Sequence, residues 1–282
     1  MVGLTLAEKR CFISALQQEH SVRDICGILG VNRGSFYYHP QEDPSEAVLR
    51  SEIEKLAGRY PRYGYRRITQ LLQRQGYTVG TRRVARLMKA NNLLVSVKRA
   101  GQTTKSLQGN KPWTNRLETL EVSRQDQVWV ADITYVRLEG RFVYLALLMD
   151  IFTRMIRGWH LSQHLTQALT LTPLEAALCQ SVPEIHHSDQ GVQYLSKAYI
   201  TTLQEHGVEI SVAHRGRPWE NGYAERLIRT LKEEEVHIND YQSITEARDR
   251  IGHFIEQVYH QKRPHSALGY LTPIEFQRQN LS

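Results

Sequence analysis

The sequence predicts an α/β protein in which a mixed five-stranded sheet flanked by helices follows all-α helix-turn-helix units. Residues 1–95 show helical periodicity with capping residues and turn glycines, whereas apolar strands dominate the chain after Trp113. The balance of basic and acidic residues along the chain changes at nearly the same place. Residues 1–112 carry 19 Lys and Arg against 8 Asp and Glu, and residues 113–282 carry 17 against 21. We therefore expect the front of the chain to bind a polyanion and the back to perform a different task.

Residues 1–40 are predicted to form an N-terminal helix-turn-helix unit. Thr5 and Glu8 form a capping box ahead of the first helix. Gly30 stands just after the last periodic residue of the second helix, and Asn32 caps a short third helix that contains Arg33. This arrangement is typical of proteins that place one helix in a DNA groove, so Arg33 is a candidate DNA contact.

Residues 46–95 are predicted to form a second helical DNA-binding domain, and residues 96–112 a polar, basic linker. Cations interleaved with tyrosines suit contacts with phosphates and stacking on sugars or bases. The alternative is a set of helix faces that are merely solvated. The candidate DNA contacts in this region are Arg66, Arg67, Arg82, Arg83, Arg86, Lys98 and Arg99.

Residues 113–236 are predicted to form the sheet and its helices, followed by a C-terminal helical extension at 237–282. Three closely spaced strands at 128–136, 142–151 and 155–161 indicate an antiparallel meander. Strands at 185–188 and 208–212 then alternate with helices at 166–180, 196–206 and 221–236. This order is typical of a sheet with helices packed on it.

Three carboxylates lie at positions where a carboxylate is either costly to bury or well placed for a functional site. Asp132 interrupts a strand of alternating valines, so it needs either a salt-bridge partner or a metal ion. Asp189 ends a short strand, where it is either a turn residue or a site residue. Glu225 shares one helix face with Arg229 and Lys232, which indicates either a surface ion pair or a functional cluster.

Two further carboxylates compete for these roles. Glu220 projects about 140° away from Glu225 on a continuous helix, so the two side chains cannot face one site. Asp150 lies beside Arg154 at the end of a strand, where it is expected to be a turn residue.

The strings WVADITY, HHSDQGVQY and RPWENGYAERLIRTLKEEEV resemble bacterial insertion-sequence transposases of the retroviral-integrase superfamily. The chain is most similar to the second-reading-frame products of the insertion-sequence-three group. The 35 residues between Asp189 and Glu225 fit that family's spacing, and RYGYRRI, RVARLM and YHQKRPHSALGYLTPIEF resemble its flanking segments. The resemblance implies an RNase H-like core in which Asp132, Asp189 and Glu225 form a D-D-E triad, with Lys232 as the basic residue that follows.

The resemblance implies a DNA transposase that cleaves strands at element ends and transfers them to a target. Two Mg²⁺ ions roughly 4 Å apart suit such a phosphoryl transfer, three carboxylates are a sufficient protein contribution, and Mn²⁺ is expected to substitute. Arg229 and Lys232 are then expected to hold phosphates. The implied partners are double-stranded DNA of terminal inverted repeats and targets, further copies of the chain, and an upstream-frame protein or frameshift fusion.

Composition excludes several other classes. No apolar run approaches the roughly 18 residues of a membrane span, and three cysteines without metal-like or disulfide-like spacing fit a reducing cytosol. The composition therefore predicts a cytosolic protein without a membrane partner, and the resemblance implies that this is the bacterial cytosol and that the protein is associated with the nucleoid. Two rival functions remain: a DNA-binding regulator that keeps the core as a scaffold, and a nuclease that cuts without joining.

Overall fold

The computed structural model describes residues 4–38, 44–95 and 113–280. The chain divides into two compact units, Met1–Glu52 and Ile53–Ser282. The predicted linker at 96–112, with the candidate contacts Lys98 and Arg99, lies outside the described residues. The predicted domain boundaries stay predictions.

The first unit contains three short helices, α1 (Leu6–Leu16), α2 (Val22–Leu29) and α3 (Arg33–Tyr37). Thr5 and Glu8 form the predicted capping box at the start of α1. Gly30 ends α2 with a φ of 61°, a left-handed conformation that glycine adopts without steric cost. The helices pack around Ile13 and Ile25, which are buried. The local geometry predicted from the caps is therefore confirmed.

Three helices lie between the two internal gaps in the described chain: α4 (Pro44–Arg59), α5 (Tyr65–Arg74) and α6 (Thr81–Ala90). Helices α5 and α6 pack against each other. Their apolar faces are fully buried at Ile68, Leu72, Val84 and Met88. The polar faces therefore carry the arginines.

The sheet contains β1 (Val128–Leu138), β2 (Arg141–Asp150), β3 (Ile156–Ser162), β4 (Ile185–Ser188) and β5 (Glu209–Val212). Its strand order is β3-β2-β1-β4-β5. Strand β2 is antiparallel to both β1 and β3, whereas β4 is parallel to both β1 and β5. The sheet is therefore mixed and five-stranded, as predicted.

Helices cover both faces of the sheet: α7 (Ala168–Leu178), α8 (Lys197–Glu205), α9 (Gly222–Glu234) and α10 (Ile244–His253). A further helix, α11 (Pro273–Asn280), follows them along the chain. Strand residues alternate between two hydrophobic cores. Trp129 packs with residues of α7 and α8 on one face, while Val130 packs with Leu227 of α9 and Ile251 of α10 on the other. Since side chains alternate, Asp132 shares the α9 face with Val130.

The C-terminal segment belongs to the same core as the sheet. Tyr241, Ala247 and Ile251 are fully or almost fully buried against β1, β2 and α9. A π-helix at Phe254–Tyr259 continues the buried face after α10. The segment predicted as a helical extension is helical, and its helix α10 is an integral layer of the fold. No described helix is long and apolar enough to cross a membrane.

Candidate active site

Asp132 and Asp189 occupy neighbouring positions on two parallel strands. Strand β1 pairs with β4 in parallel register, and the last pair is Ala131 opposite Ser188. Asp132 follows Ala131 in the sequence, and Asp189 follows Ser188. Aligned residues of adjacent strands point to the same side of a sheet, so both aspartates emerge on the side that α9 covers. The sequence predicted only that Asp189 lies at the tip of a short strand.

Helix α9 brings Glu225 to the same side of the sheet. Its apolar residues Leu227 and Leu231 are buried in the core that contains Val130. Asn221, directly before the helix, donates a hydrogen bond from Nδ2 to the carbonyl oxygen of Ala131 at 3.1 Å. This bond fixes the start of α9 beside the residue that precedes Asp132.

Asp189 and Glu225 both act electrostatically on Asp132. Burial raises the pKa of Asp132 to about 7, and the negative charges of Asp189 and Glu225 add to the rise. The backbone N–H of Ile133, which donates to Oδ1 at 2.8 Å, and the ammonium of Lys232 oppose it. Burial and the two neighbouring carboxylates therefore together favour the protonated form of Asp132.

The other two carboxylates are also shifted toward their protonated forms. Partial burial raises the pKa of Asp189, although the N–H of Gly191 donates to its Oδ1 at 2.9 Å. Burial likewise raises the pKa of Glu225, against the opposing charge of Arg229. Burial lowers the pKa of Lys232, and the charge of Asp132 counteracts that shift. Arg229 and Lys232 thus both lie close enough to affect the carboxylates.

The donor chemistry fits a hard divalent cation, because carboxylate oxygens are the ligands that Mg²⁺ prefers. Among residues 4–38, 44–95 and 113–280, however, no three or more His, Cys, Asp or Glu side chains lie close enough together to hold a metal ion. The three carboxylates therefore share one side of the sheet without forming a coordination group in this structure.

The two competing carboxylates have structural roles. Glu220 accepts hydrogen bonds from the backbone N–H of His214, from Asn115 and from Arg217. Burial favours its protonated form, but these bonds prevail and lower its pKa. Asp150 is fully buried and accepts from the backbone N–H groups of Asp126 and Thr153. Both carboxylates therefore hold loops in place.

Sequence analysis missed Tyr194. Its side chain is buried, and its hydroxyl has no hydrogen-bond partner among the described residues. Burial raises the pKa of Tyr194 well above its usual value, and the charges of Asp132 and Asp189 contribute. The hydroxyl therefore lies close to both aspartates. The only signal in the sequence is its position five residues after Asp189.

The candidate DNA contacts fall into three groups. The first group is at least partly accessible: five of its side chains are exposed, namely Arg33, Arg66, Arg82, Arg86 and Arg229, and two are half-buried, namely Arg83 and Lys232. Arg67 instead donates from NH1 to Oε1 of Glu234 at 2.9 Å and is three-quarters or more covered. Lys98 and Arg99 are not described. DNA contact by any of these side chains stays a prediction.

The fold and the sequence families define an integrase-core enzyme. Two family models described as "Integrase core domain" match residues 122–218 and 206–273, and one described as "HTH-like domain" matches residues 45–101. The core match extends through α10, in agreement with the packing of that helix. The protein is thus a DDE-type polynucleotidyl transferase with a helix-turn-helix-like region ahead of its core.

The chain belongs to the transposases of the insertion-sequence-three group. It is 32% identical over 263 residues to a 31 kDa protein of insertion element IS600 from Shigella sonnei, covering 89% of this chain and 97% of the relative. It is 32% identical to the IS904 transposase of Lactococcus lactis, covering 78% and 88%, and 29% identical to the InsF transposase of IS3A from Escherichia coli, covering 97% and 100%. The resemblance found in the sequence is confirmed.

Solved structures with a similar shape include retroviral integrases. The catalytic core of HTLV-2 integrase in complex with magnesium is 15% identical with a TM-score of 0.42, covering 54% of this chain and 95% of that one. A simian T-cell lymphotropic virus intasome is 15% identical with a TM-score of 0.46, covering 79% and 73%.

Proposed function

We propose that the protein catalyses metal-dependent strand cleavage and strand transfer at the ends of an insertion sequence, with Asp132, Asp189 and Glu225 as its metal-binding catalytic residues. The observation that carries the proposal is the placement of these residues on one side of the sheet. Asp132 and Asp189 follow the last residues of β1 and β4 that pair with each other, and Glu225 lies on a helix packed over the same face. The effect of Asp189 and Glu225 on the pKa of Asp132 supports their proximity to it.

The three carboxylates would hold two Mg²⁺ ions, which Mn²⁺ can replace. When bound, such ions activate the attacking oxygen and neutralise the leaving 3′ oxygen. The residues of this chain supply the ligands and the positioning. Glu225 lies on α9, and the hydrogen bond of Asn221 to Ala131 holds the start of this helix against β1. The charge of Asp132 acts on the pKa of Lys232, and Lys232 would hold a phosphate of the substrate beside Asp132.

The proposed partners are double-stranded DNA and further copies of the chain. The helix-turn-helix-like match and the exposed Arg66 and Arg82 support DNA contact ahead of the core. Joining two element ends to one target requires more than one active site, which supports a homo-oligomer. An upstream-frame protein or a frameshift fusion belongs to the same proposal as a further partner.

The decisive experiment incubates the full chain with a labelled duplex carrying the inverted repeats that flank its gene, a target plasmid and Mg²⁺. We expect nicks at the repeat ends and joined products, both abolished by a chelator. Asp132→Asn, Asp189→Asn and Glu225→Gln should each lower both products at least about a thousandfold, because several kcal/mol of transition-state stabilisation are lost. DNA binding, measured in parallel, should be unchanged.

Matched control variants are available on exposed carboxylates away from the cluster. Asp249→Asn on α10 and Glu139→Gln at the turn between β1 and β2 should retain full activity. Metal-dependent nicks without joined products would make the protein a nuclease. Tight DNA binding with neither product would make it a regulator. Full cleavage by Glu225→Gln would remove that residue from the proposed triad.

A further inference from the structure

A cavity of about 620 Å³ lies on the side of α9 that faces away from Glu225. Tyr223, Leu227 and Thr230 of α9 line it, and these positions lie roughly 140° to 160° around the helix from Glu225. The remaining walls come from the segment before β1, from the end of β2 and the turn that follows it, from residues 217–220, from the C-terminal segment and from α5. All of these elements belong to the second compact unit. The cavity is therefore separate from the carboxylate cluster.

The cavity wall contains a buried surplus of positive charge. Arg263, which is 4% exposed, donates from Nε and NH2 to the carboxylate of Glu234 at 2.8 Å. Arg67 donates to the same carboxylate at 2.9 Å. Two guanidinium groups, which stay charged in proteins, thus share one carboxylate. A buried charge without a counter-charge is costly, so this arrangement favours an anion in the adjoining space.

Further cations line the cavity. Arg154 has no carboxylate partner among the described residues and lies 4.5 Å from the centre of the Tyr223 ring. Arg226 is exposed on α9. His265 adds no charge, because burial and the charge of Arg263 lower its pKa to about 2. The lining carboxylates Glu118 and Glu220 both pair with Arg217. The wall therefore carries more guanidinium groups than carboxylates, and guanidinium groups bind phosphate oxygens in a planar, bidentate geometry.

Exposed aromatic side chains stand at the same cavity. Trp219 is 68% exposed and Tyr223 44% exposed, although large aromatic side chains are usually covered. Apolar side chains such as Leu117 and Met149 complete the lining. Aromatic faces are surfaces on which nucleic-acid bases stack. The volume lies within the range of sites for ligands the size of a nucleotide.

We propose that this cavity binds one nucleotide unit, with its phosphate on Arg154, Arg226 and the Arg67–Arg263 pair and its base against Trp219 or Tyr223. The nucleotide is either free or part of a DNA strand. The inference goes beyond the proposed function, because binding here requires no chemistry at the carboxylates. Since Trp219 and Tyr223 belong to the segment that leads into Glu225, an occupied cavity also braces α9.

The test is calorimetric titration of the full chain with deoxyadenosine 5′-monophosphate, with inorganic phosphate and with a single-stranded trinucleotide. We expect saturable binding of the mononucleotide, tighter than that of phosphate. Arg154→Gln and Arg226→Gln should each weaken it about tenfold or more, since each removes a charged hydrogen-bond donor. Arg141→Gln, on an exposed arginine of β2 remote from the cavity, is the matched control and should bind as the wild type does.

Competition identifies the source of the nucleotide. Displacement of the mononucleotide by the trinucleotide assigns the cavity to a DNA strand, and a failure to displace it assigns the cavity to a free nucleotide. Trp219→Phe, which keeps a stacking face, should retain binding that Trp219→Ala loses. Circular dichroism confirms that each variant is folded. The proposal is overturned if the mononucleotide shows no saturable binding, binds no better than phosphate, or binds equally to folded Arg154→Gln and Arg226→Gln.

Discussion

Asn221 donates a hydrogen bond from Nδ2 to the carbonyl oxygen of Ala131 at 3.1 Å, inside the protein. The bond joins the residue before α9 to the residue before Asp132, and it therefore couples the position of the helix that carries Glu225 to the strand that carries Asp132. Asn221→Ala should cost about 1–3 kcal/mol of unfolding free energy, because it leaves a buried carbonyl without its partner. It should also raise the metal concentration needed for half-maximal DNA cleavage, measured by titrating Mg²⁺.

The metal titration distinguishes positioning from general stability. Asn91→Ala removes a comparable bond, from Nδ2 to the carbonyl of Leu87 at 2.8 Å in α6. It should lower stability and leave the Mg²⁺ midpoint unchanged. An equal shift of that midpoint in both variants would contradict a positioning role for Asn221.

Asp132 should make the metal-free protein less stable as the pH rises. Its pKa is raised from 3.8 to about 7, mainly by burial, so the folded chain keeps a proton that the unfolded chain has already lost. Stability therefore falls between about pH 4 and pH 7, by about 3 kcal/mol at most over pH 5 to 8. Urea unfolding of wild type and Asp132→Asn at pH 5 and pH 8 measures the effect, and the asparagine variant should lose less.

The comparison isolates Asp132, because Asp150, whose pKa burial also raises, is present in both proteins. Equal losses in the two proteins would show that Asp132 is not the responsible group. Mg²⁺ should restore stability to the wild type at pH 8 more than at pH 5, since a cation favours the ionised carboxylates. Asp132→Asn should gain less from Mg²⁺ at either pH.

Gly191 should tolerate no side chain, because it lies against the carboxylate of Asp189. A Cβ at this position would stand 2.9 Å from Asp189 Oδ1, the same oxygen that the Gly191 N–H holds. Gly191→Ala should displace Asp189 and lower DNA cleavage about tenfold or more, while the thermal midpoint stays near that of the wild type. Gly58→Ala, in the open on α4, is the control and should leave cleavage unchanged. Full activity of Gly191→Ala would show that Asp189 is not held by this contact.

Local patterns predicted the elements of the fold well. The strand predicted at 185–188 matches β4, and the one predicted at 142–151 differs from β2 (Arg141–Asp150) by one residue at each end. Apolar alternation and caps are encoded within a few residues, so they are visible in sequence. The strand order and the burial of Ile251 of α10 against the sheet are not, because they depend on contacts between distant segments.

The residues of the candidate site were likewise predictable only in part. The family resemblance of the sequence motifs assigned Asp132, Asp189 and Glu225 to the site, whereas the residues alone left a structural alternative open for each of them. The buried neighbours of these carboxylates were not predictable, because a buried hydroxyl such as that of Tyr194 has no periodic signature. Arg67 was predicted as a DNA contact from its place in a basic helix, whereas its guanidinium donates to Glu234, 167 residues later. Only a tertiary contact reveals such a pairing.

The cluster of Glu234, Arg67 and Arg263 predicts a definite ranking of stability losses. Glu234→Gln should cost the most, about 3–5 kcal/mol, because it leaves two covered guanidinium groups facing each other without a carboxylate. Arg263→Met should cost less, since Glu234 keeps Arg67. Arg67→Met should cost about 1 kcal/mol, because the two-bond pair of Arg263 and Glu234 survives it. Urea unfolding measures the three values, and a greater loss for Arg67→Met than for Glu234→Gln would contradict a surplus of positive charge in this cluster.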